Sequence, residues 1–356
     1  MHKCGVHLIR THYPHWGKYT GINRFVEYID PEKFKIDDRV VPMGESNFPI
    51  TSPRIKKRLR HWIKKNGVRE YDLNDLMAET VALGQWLRGR ADIVHYLDGE
   101  HSLQYLPSLI RKLKFLRKKA SIVATFHQPP QDLEFLLNVD IVRRLDRVIV
   151  ISPDQTAYFE QYLPKHKISL VLHGVDVNYF HPATESQKTD KFRCLSVGSW
   201  LRDYDRVLAV AERLQTHADI EFHIVSPKVS ASPEQKNIYI YKDIDDTQLL
   251  KLYQQSDVLF LPLFGATANN AILEGMACGL PIISTDLTSI RAYLPGKEAI
   301  LISDNNVELC VKTILDLYNS PNICQEMARA ARLRAIELSW QNVARQMELI
   351  YASLIC

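Results

Sequence analysis

Short apolar runs recur along almost the whole chain, each followed by a stretch with helical periodicity, the alternation that builds parallel β-α-β units. In the first half the pattern predicts strands over Gly5–Arg10, Arg39–Pro42, Ile93–Leu97, Ser121–Phe126 and Arg147–Ile151. In the second half it predicts them over Ser169–Leu172, Arg193–Val197, Glu221–Val225, Ile238–Tyr241, Val258–Leu263 and Pro281–Ser284. The expected architecture is α/β, with two doubly wound, Rossmann-like domains in sequence. A boundary falls near His173-Gly174-Val175, followed by the linker Asn178-Tyr-Phe-His-Pro182 and the polar stretch Ala183–Lys191. Open sheets of this kind bind ligands at the carboxyl ends of their strands, so the expectation includes a cleft between facing domains.

The most informative segment is LFLPLFGATANNAILEGMACGLPIISTD, Leu259 to Asp286. It reads as a buried strand, a loop of small residues, a helix carrying Glu274, a stop at Gly279 and Pro281, and a second strand. Small side chains at Ala266, Thr267 and Ala268, leading into Asn269 and Asn270, leave backbone N–H groups bare at a helix start, which suits an anion such as a diphosphate. With Asn270 as the cap, Glu274 lies one turn on along the same face, where a carboxylate can accept hydrogen bonds from sugar hydroxyls. An ordinary crossover reads the same way when this segment is taken alone. Thr20-Gly21-Ile22-Asn23-Arg24-Phe25 follows the first strand, and Gly21 there permits close backbone approach at the start of a predicted helix. Ser121–Gln128 ends its strand at His127, where a histidine points at the ligand end of the sheet and away from the core. The Gly-x-Gly-x-x-Gly dinucleotide fingerprint does not occur.

Composition narrows the class. At 356 residues the chain exceeds one ordinary core, and 46% hydrophobic with 24% charged residues fits a globular protein. No apolar run approaches the roughly 20 residues that span a bilayer, and the first residues carry no signal-peptide core, so a cytoplasmic location is expected. Six dispersed cysteines, Cys4, Cys194, Cys278, Cys310, Cys324 and Cys356, read as free thiols in a reducing compartment.

The net charge of +4 is concentrated: residues 54–69 hold eight of the 45 Lys and Arg and no acid. The remainder is net acidic, which argues against nucleic acid as a partner. The basic stretch reads as a helix over 52–67, with Ser52 as cap, Pro53 first and Gly67 past the end. Ile55, Leu59, Trp62 and Ile63 share one face, surrounded by Arg54, Lys56, Lys57, Arg58, Arg60, Lys64 and Lys65. Such a helix suits an anionic membrane surface or an acceptor bound there, as well as packing on its own domain. Residues 111–119 add a second basic cluster, expected on a crossover helix.

These segments, taken together and in order, resemble the retaining nucleotide-sugar glycosyltransferases of family 4 (glycosyl transferases group 1), which have the GT-B fold. The glycine loop at Gly21, Thr125-Phe126-His127, Arg147–Pro153, Val171–Asp176 with Phe180–Pro182, Leu249–Pro262, Leu273–Pro281 and Ser339-Trp340 carry the resemblance across nearly the whole chain. It implies an acceptor-side domain over 1–172, a nucleotide-sugar domain over 173–338, and a last helix over 339–356 crossing back to the first domain. It further implies a UDP- or GDP-sugar donor, a glycan, lipid-linked or small-molecule acceptor, and no cofactor or metal. Gly21, Gly198, Thr267, Ala268, Asn269 and Asn270 fall in its donor site. Glu274 matches the glutamate that holds the donor ribose, and His127 the histidine that holds the transferred sugar.

Two departures stand out. Ala266 occupies the position of the first of the family's two glutamates, and the usual Arg and Lys that grip the diphosphate after the strand ending at Gly198 are absent, Arg202 being the nearest guanidinium for a bidentate phosphate contact. Asp203-Tyr204-Asp205 spells the short Asp-x-Asp metal motif of a different transferase fold, a pattern that arises readily by chance. A non-catalytic nucleotide-sugar-binding relative, and an epimerase or phosphorylase of the same two-domain type, are the competing readings.

Overall fold

The computed structural model describes residues 3–11, 18–19, 21–42, 48–66, 70–113, 115–116, 120–184, 190–230 and 235–355. The chain forms two compact units. One takes Gly21–His173 and the chain from Val343 onward together with the first strand; the other takes Gly174–Asn342 with Lys18 and Tyr19.

The first unit is a six-stranded sheet of β1 (Cys4–Thr11), β2 (Phe34–Val41), β3 (Ile93–Tyr96), β4 (Ser121–Phe126), β5 (Arg147–Val150) and β6 (Ile168–Leu170), ordered β2-β1-β3-β4-β5-β6. Every pair is parallel. Val94, Tyr96, Ile122, Ala124, Val148 and Val150 pack with Ala78, Ala82 and Trp86 of the helix Leu73–Leu87 in one core. That helix starts where Asp72 and Asp75 form a reciprocal capping box. The helix Trp340–Ile355 completes this unit's core from the far end of the sequence: Tyr351 is fully buried, with its hydroxyl 2.7 Å from His95 Nδ1.

The second unit repeats the plan with β7 (Phe192–Val197), β8 (Ile220–Val225), β9 (Ile238–Tyr241), β10 (Val258–Leu261), β11 (Ile282–Thr285) and β12 (Ala299–Ile302), in the order β12-β11-β10-β7-β8-β9 and again all parallel. Its core sets Cys194, Phe222, Val258, Phe260 and Ile283 against Val207, Val210, Ile314 and Leu317 from helices Tyr204–Arg213 and Val307–Tyr318. The order of this sheet reverses between β7 and β10, so the carboxyl ends of these two strands flank a topological switch point.

Several local expectations need correction. The helix that opens after Gly21 is a short 3₁₀ helix, Arg24–Tyr28. The strand β12 escapes the sequence pattern. The predicted second basic helix ends at Lys112, and the four basic residues of the cluster beyond it lie outside the described residues, as do Gly67 and Arg69. The basic helix spans Pro53–Asn66, and its expected apolar face is only partly used. Ile63 is 2% exposed, Leu59 is half-buried, and Ile55 and Trp62 remain 47% and 48% exposed. Cys4, Cys194, Cys278 and Cys310 are buried free thiols; Cys324 is partly buried and donates Sγ–H to Leu317 O at 3.3 Å, and Cys356 lies outside the described residues.

Candidate nucleotide-sugar site

In the second unit the loops leaving β7 and β10 meet. Gly198 begins the first loop at φ +101°, and a Cβ there would sit 2.9 Å from Arg202 Nη2, so both the conformation and the close approach call for glycine. Leu201 then turns through the left-handed region at φ 56°, a strained conformation for a leucine, which swings Arg202 back over the loop. Arg202 Nε donates to Val197 O at 3.0 Å, Nη1 to Trp200 O at 2.8 Å and Nη2 to Asn269 Oδ1 at 3.2 Å. Asp203 N donates to Pro262 O at 3.0 Å, and Phe264 N to Leu201 O at 3.0 Å, stitching the two loops together.

A buried polar network sits beneath them. Asn305 Nδ2 donates to Asp203 Oδ2 at 3.0 Å and to Leu263 O at 3.1 Å, Leu263 N donates to Thr285 Oγ1 at 2.7 Å, and Thr285 is hydrogen-bonded to Asn305. Asp203 also caps the helix Tyr204–Arg213 by accepting from Arg206 N at 3.0 Å, so the first member of the Asp-Tyr-Asp motif has a structural occupation.

The helix Asn270–Ala277 begins at this junction. Its cap is Asn269, which is 4% exposed and accepts from Ile272 N at 3.3 Å; Asn270, expected as the cap, is exposed on the first turn. Thr267 is buried, while Ala266 and Ala268 are partly exposed on the lead-in loop. Glu274, on the next turn, is 5% exposed, and Tyr253 of the helix Asp246–Gln255 donates its hydroxyl to Glu274 Oε2 at 2.8 Å. Burial pushes the Glu274 carboxyl up to about 8, against the lowering effects of the Tyr253 hydrogen bond and the Arg202 charge. Tyr253, fully buried, falls in Leu249–Pro262, one of the segments that carry the family resemblance, but the sequence assigns it no role of its own.

Gly198, Arg202, Asn269 and Glu274 thus share one junction. The sequence-based expectation for Arg202 changes, however. A guanidinium has five N–H donors, and three of these are committed to loop oxygens, which leaves at most one on each Nη for a phosphate. Its main work is tying the glycine loop to the helix cap. Burial depresses its pKa.

The first unit holds the other two candidates. Gly21 is buried at φ +142°, with its carbonyl accepting from Arg24 N at 3.3 Å. His127 follows β4, half-buried, with Nε2 2.8 Å from Leu97 O. Since a carbonyl only accepts, Nε2 carries the proton in the neutral ring, and burial lowers the His127 pKa against the raising influence of Asp98.

Residues 191–320 match the family model for glycosyl transferases group 1. A D-inositol 3-phosphate glycosyltransferase of Corynebacterium urealyticum is 23% identical over 260 residues, and the match takes in 64% of this chain and 61% of that relative. Among solved structures, a glycosyltransferase from Rickettsia africae superposes with a TM-score of 0.70 at 16% identity, covering 100% of this chain and 99% of the other. Anabaena HepE in complex with UDP-glucose gives 0.64 at 11% identity, covering 98% and 99%. These likenesses, with two parallel six-stranded sheets and flanking helices, show the GT-B fold.

Proposed function

We propose that this chain, whose residues 191–320 match the model for glycosyl transferases group 1, moves a sugar from a nucleoside diphosphate donor to an acceptor hydroxyl with retention of configuration. The observation that carries the reading is the junction at the switch point between β7 and β10. There a glycine loop meets a capped helix N-terminus, with a buried carboxylate on the next turn of that helix. A diphosphate would lie against the first-turn amides of the helix Asn270–Ala277, and the ribose hydroxyls would donate to Glu274. In the transfer, the bond from the sugar's anomeric carbon to the diphosphate oxygen breaks and its electron pair leaves with the diphosphate. The acceptor oxygen bonds the same face of that carbon, and its proton passes to the departing phosphate oxygen. Charge growing on the diphosphate is met by the helix dipole and the Arg202 guanidinium. His127 would hold the sugar. HepE, which shares the fold, was crystallised with UDP-glucose, and this supports a UDP-sugar as the first donor to try.

Ala266, in place of a carboxylate, and Asp203, in a segment that lacks the usual lysine, favour one alternative: a nucleotide-sugar-binding relative without turnover. A panel of UDP-, GDP- and ADP-sugars in thermal-shift and product-release assays decides between the two. A donor present at 100 times its dissociation constant stabilises by about 2.7 kcal/mol. Stabilisation with acceptor-dependent release of nucleoside diphosphate supports transfer; stabilisation with complete inertness supports the binding relative.

The acceptor surface is read from the basic helix Pro53–Asn66. Arg54, Lys57, Arg58, Arg60, Lys64 and Lys65 are exposed, and the half-exposed Trp62 stacks on Tyr105 with ring centroids 4.7 Å apart. Cations around an exposed tryptophan suit an anionic bilayer surface, and hence a lipid-linked or membrane-proximal acceptor. Among the described residues no helix is long and apolar enough to cross a membrane.

A further inference from the structure

The segment that carries His127 is held by two buried side chains that no motif announces. Glu100, in the short helix Gly99–Ser102, is fully buried, and its Oε1 accepts from both His127 N at 2.9 Å and Gln128 N at 3.0 Å. Gln155, also fully buried, works from the other side: its Nε2 donates to Phe126 O at 3.0 Å and to Gln128 O at 2.8 Å. Its Oε1 is occupied by Ile151 N and Ser152 N at 2.8 and 3.1 Å, so the amide cannot flip without losing four hydrogen bonds. A main-chain turn that would otherwise be satisfied by water is instead fixed by one carboxyl and one carboxamide.

The geometry points to Glu100 and Gln155 as positioning residues that set the imidazole of His127. The ring spans the ends of β3 and β4 through its Nε2 bond to Leu97 O. Glu100 spans the same two ends, since it stands three residues after Leu97 and holds the amides of 127 and 128. The distance that the imidazole bridges is therefore set by the Glu100 contacts. Gly99 lets the short helix lie this close to β4: a Cβ there would come within 2.8 Å of the Phe126 ring. Glu100 Oε2 has no hydrogen-bond partner among the described residues, an unusual expense for a carboxyl that serves packing alone. The functional weight of this arrangement rests on the reading of His127 as a sugar-holding residue, but its test does not.

The test is nuclear magnetic resonance of the full chain labelled with ¹⁵N-histidine, with the His127 signals assigned by their loss in His127→Gln. The native ring is expected as the single Nε2–H tautomer. Glu100→Ala should convert it to a mixture of tautomers, and Gln155→Ala should do the same from the carbonyl side, which keeps the test alive if one variant fails to fold. Glu100→Gln retains an oxygen for both amides and should restore the native signal. Leu133→Ala, a cavity variant of a fully buried leucine in the same unit, should leave the tautomer unchanged despite lost stability. An unaltered His127 ring in Glu100→Ala, or an equal disturbance in Leu133→Ala, overturns the inference. Failure of the transferase reading would look different: no sugar transfer, with the ring still fixed in one tautomer.

Discussion

Arg202 Nη2 donates to Asn269 Oδ1 at 3.2 Å, so the cap of the helix Asn270–Ala277 is held by the loop that leaves β7. One oxygen serves both the cap bond to Ile272 N and the arginine. Asn269→Ala removes both and should cost about 1–2 kcal/mol of unfolding free energy in a urea titration. Asn269→Asp keeps the cap and strengthens the tie to Arg202, so stability should hold. Its added charge would face the diphosphate of the proposed donor, however, and UDP affinity measured by calorimetry should fall. Unchanged UDP affinity in Asn269→Asp would remove the diphosphate from this helix end.

With Glu274 as the proposed ribose acceptor, donor binding acquires a direction in pH. Its folded pKa of about 8 means the carboxyl is mainly protonated at neutral pH, while ribose hydroxyls need the carboxylate as acceptor. Donor affinity should therefore rise by up to about tenfold per pH unit below pH 8 and level off above it. Glu274→Gln should flatten the profile, and Tyr253→Phe, by removing a hydrogen bond that favours the charged form, should move its midpoint higher. Glu274→Ala should cost one to three kcal/mol, roughly the value of a lost buried polar contact. A native profile without slope between pH 6 and 8 would sink this assignment of Glu274.

The same shift affects stability with the opposite sign. A carboxyl whose folded pKa is raised holds a proton that the unfolded chain has already lost between about pH 4.5 and 8, so unfolding free energy falls as pH rises through that window. Burial raises Glu100, Glu274 and Asp75 alike, each to about 8. The ligand-free protein should accordingly melt at a lower temperature at pH 8 than at pH 5.5, and Glu274→Gln should reduce the difference. Equal melting temperatures would contradict it.

Gly198→Ala meets two obstacles together, a left-handed φ of +101° and the Arg202 guanidinium 2.9 Å away. A loss on the order of 1–3 kcal/mol is expected. Because the arginine must yield, UDP affinity should drop as well. Loss of stability with full UDP affinity would mean that the glycine serves the loop alone.

The basic helix is separable from the donor site. Changing Lys56, Lys57, Arg58 and Arg60 to Glu should abolish co-sedimentation with phosphatidylserine vesicles and leave UDP binding intact. Trp62→Ala should weaken vesicle binding in part, as lost interfacial burial. Vesicle binding that survives the charge reversal would assign this helix to packing.

What could be read from the sequence follows the physics of each element. The run Val258–Leu261 announces itself because a central parallel strand is apolar on both faces. Ala299–Ile302 forms the edge β12, and three of its four residues are only half-buried, so no long apolar run marks it. Glu274 is legible through its place in a recurrent helix, whereas two adjacent asparagines look alike as caps until the backbone chooses Asn269. Arg202 could not be placed by pattern, because its course depends on the left-handed turn at Leu201. Glu100 and Gln155 were invisible for a related reason. Their partners are main-chain groups, which every residue type supplies, so no side-chain spacing betrays them.

The helix Trp340–Ile355 starts in one unit and is built into the other from Val343 onward. Its Glu348 accepts from Asp30 N at 2.7 Å, and its Tyr351 plugs the first sheet beside His95. During synthesis the first sheet emerges early, yet its core stays open until residues 343–355 have left the ribosome. The second unit, whose residues are nearly contiguous, can close before it. The unit made first is thus the one finished last, and a chain shortened before Tyr351 should accumulate with that sheet accessible to proteases while the β7–β12 unit resists them.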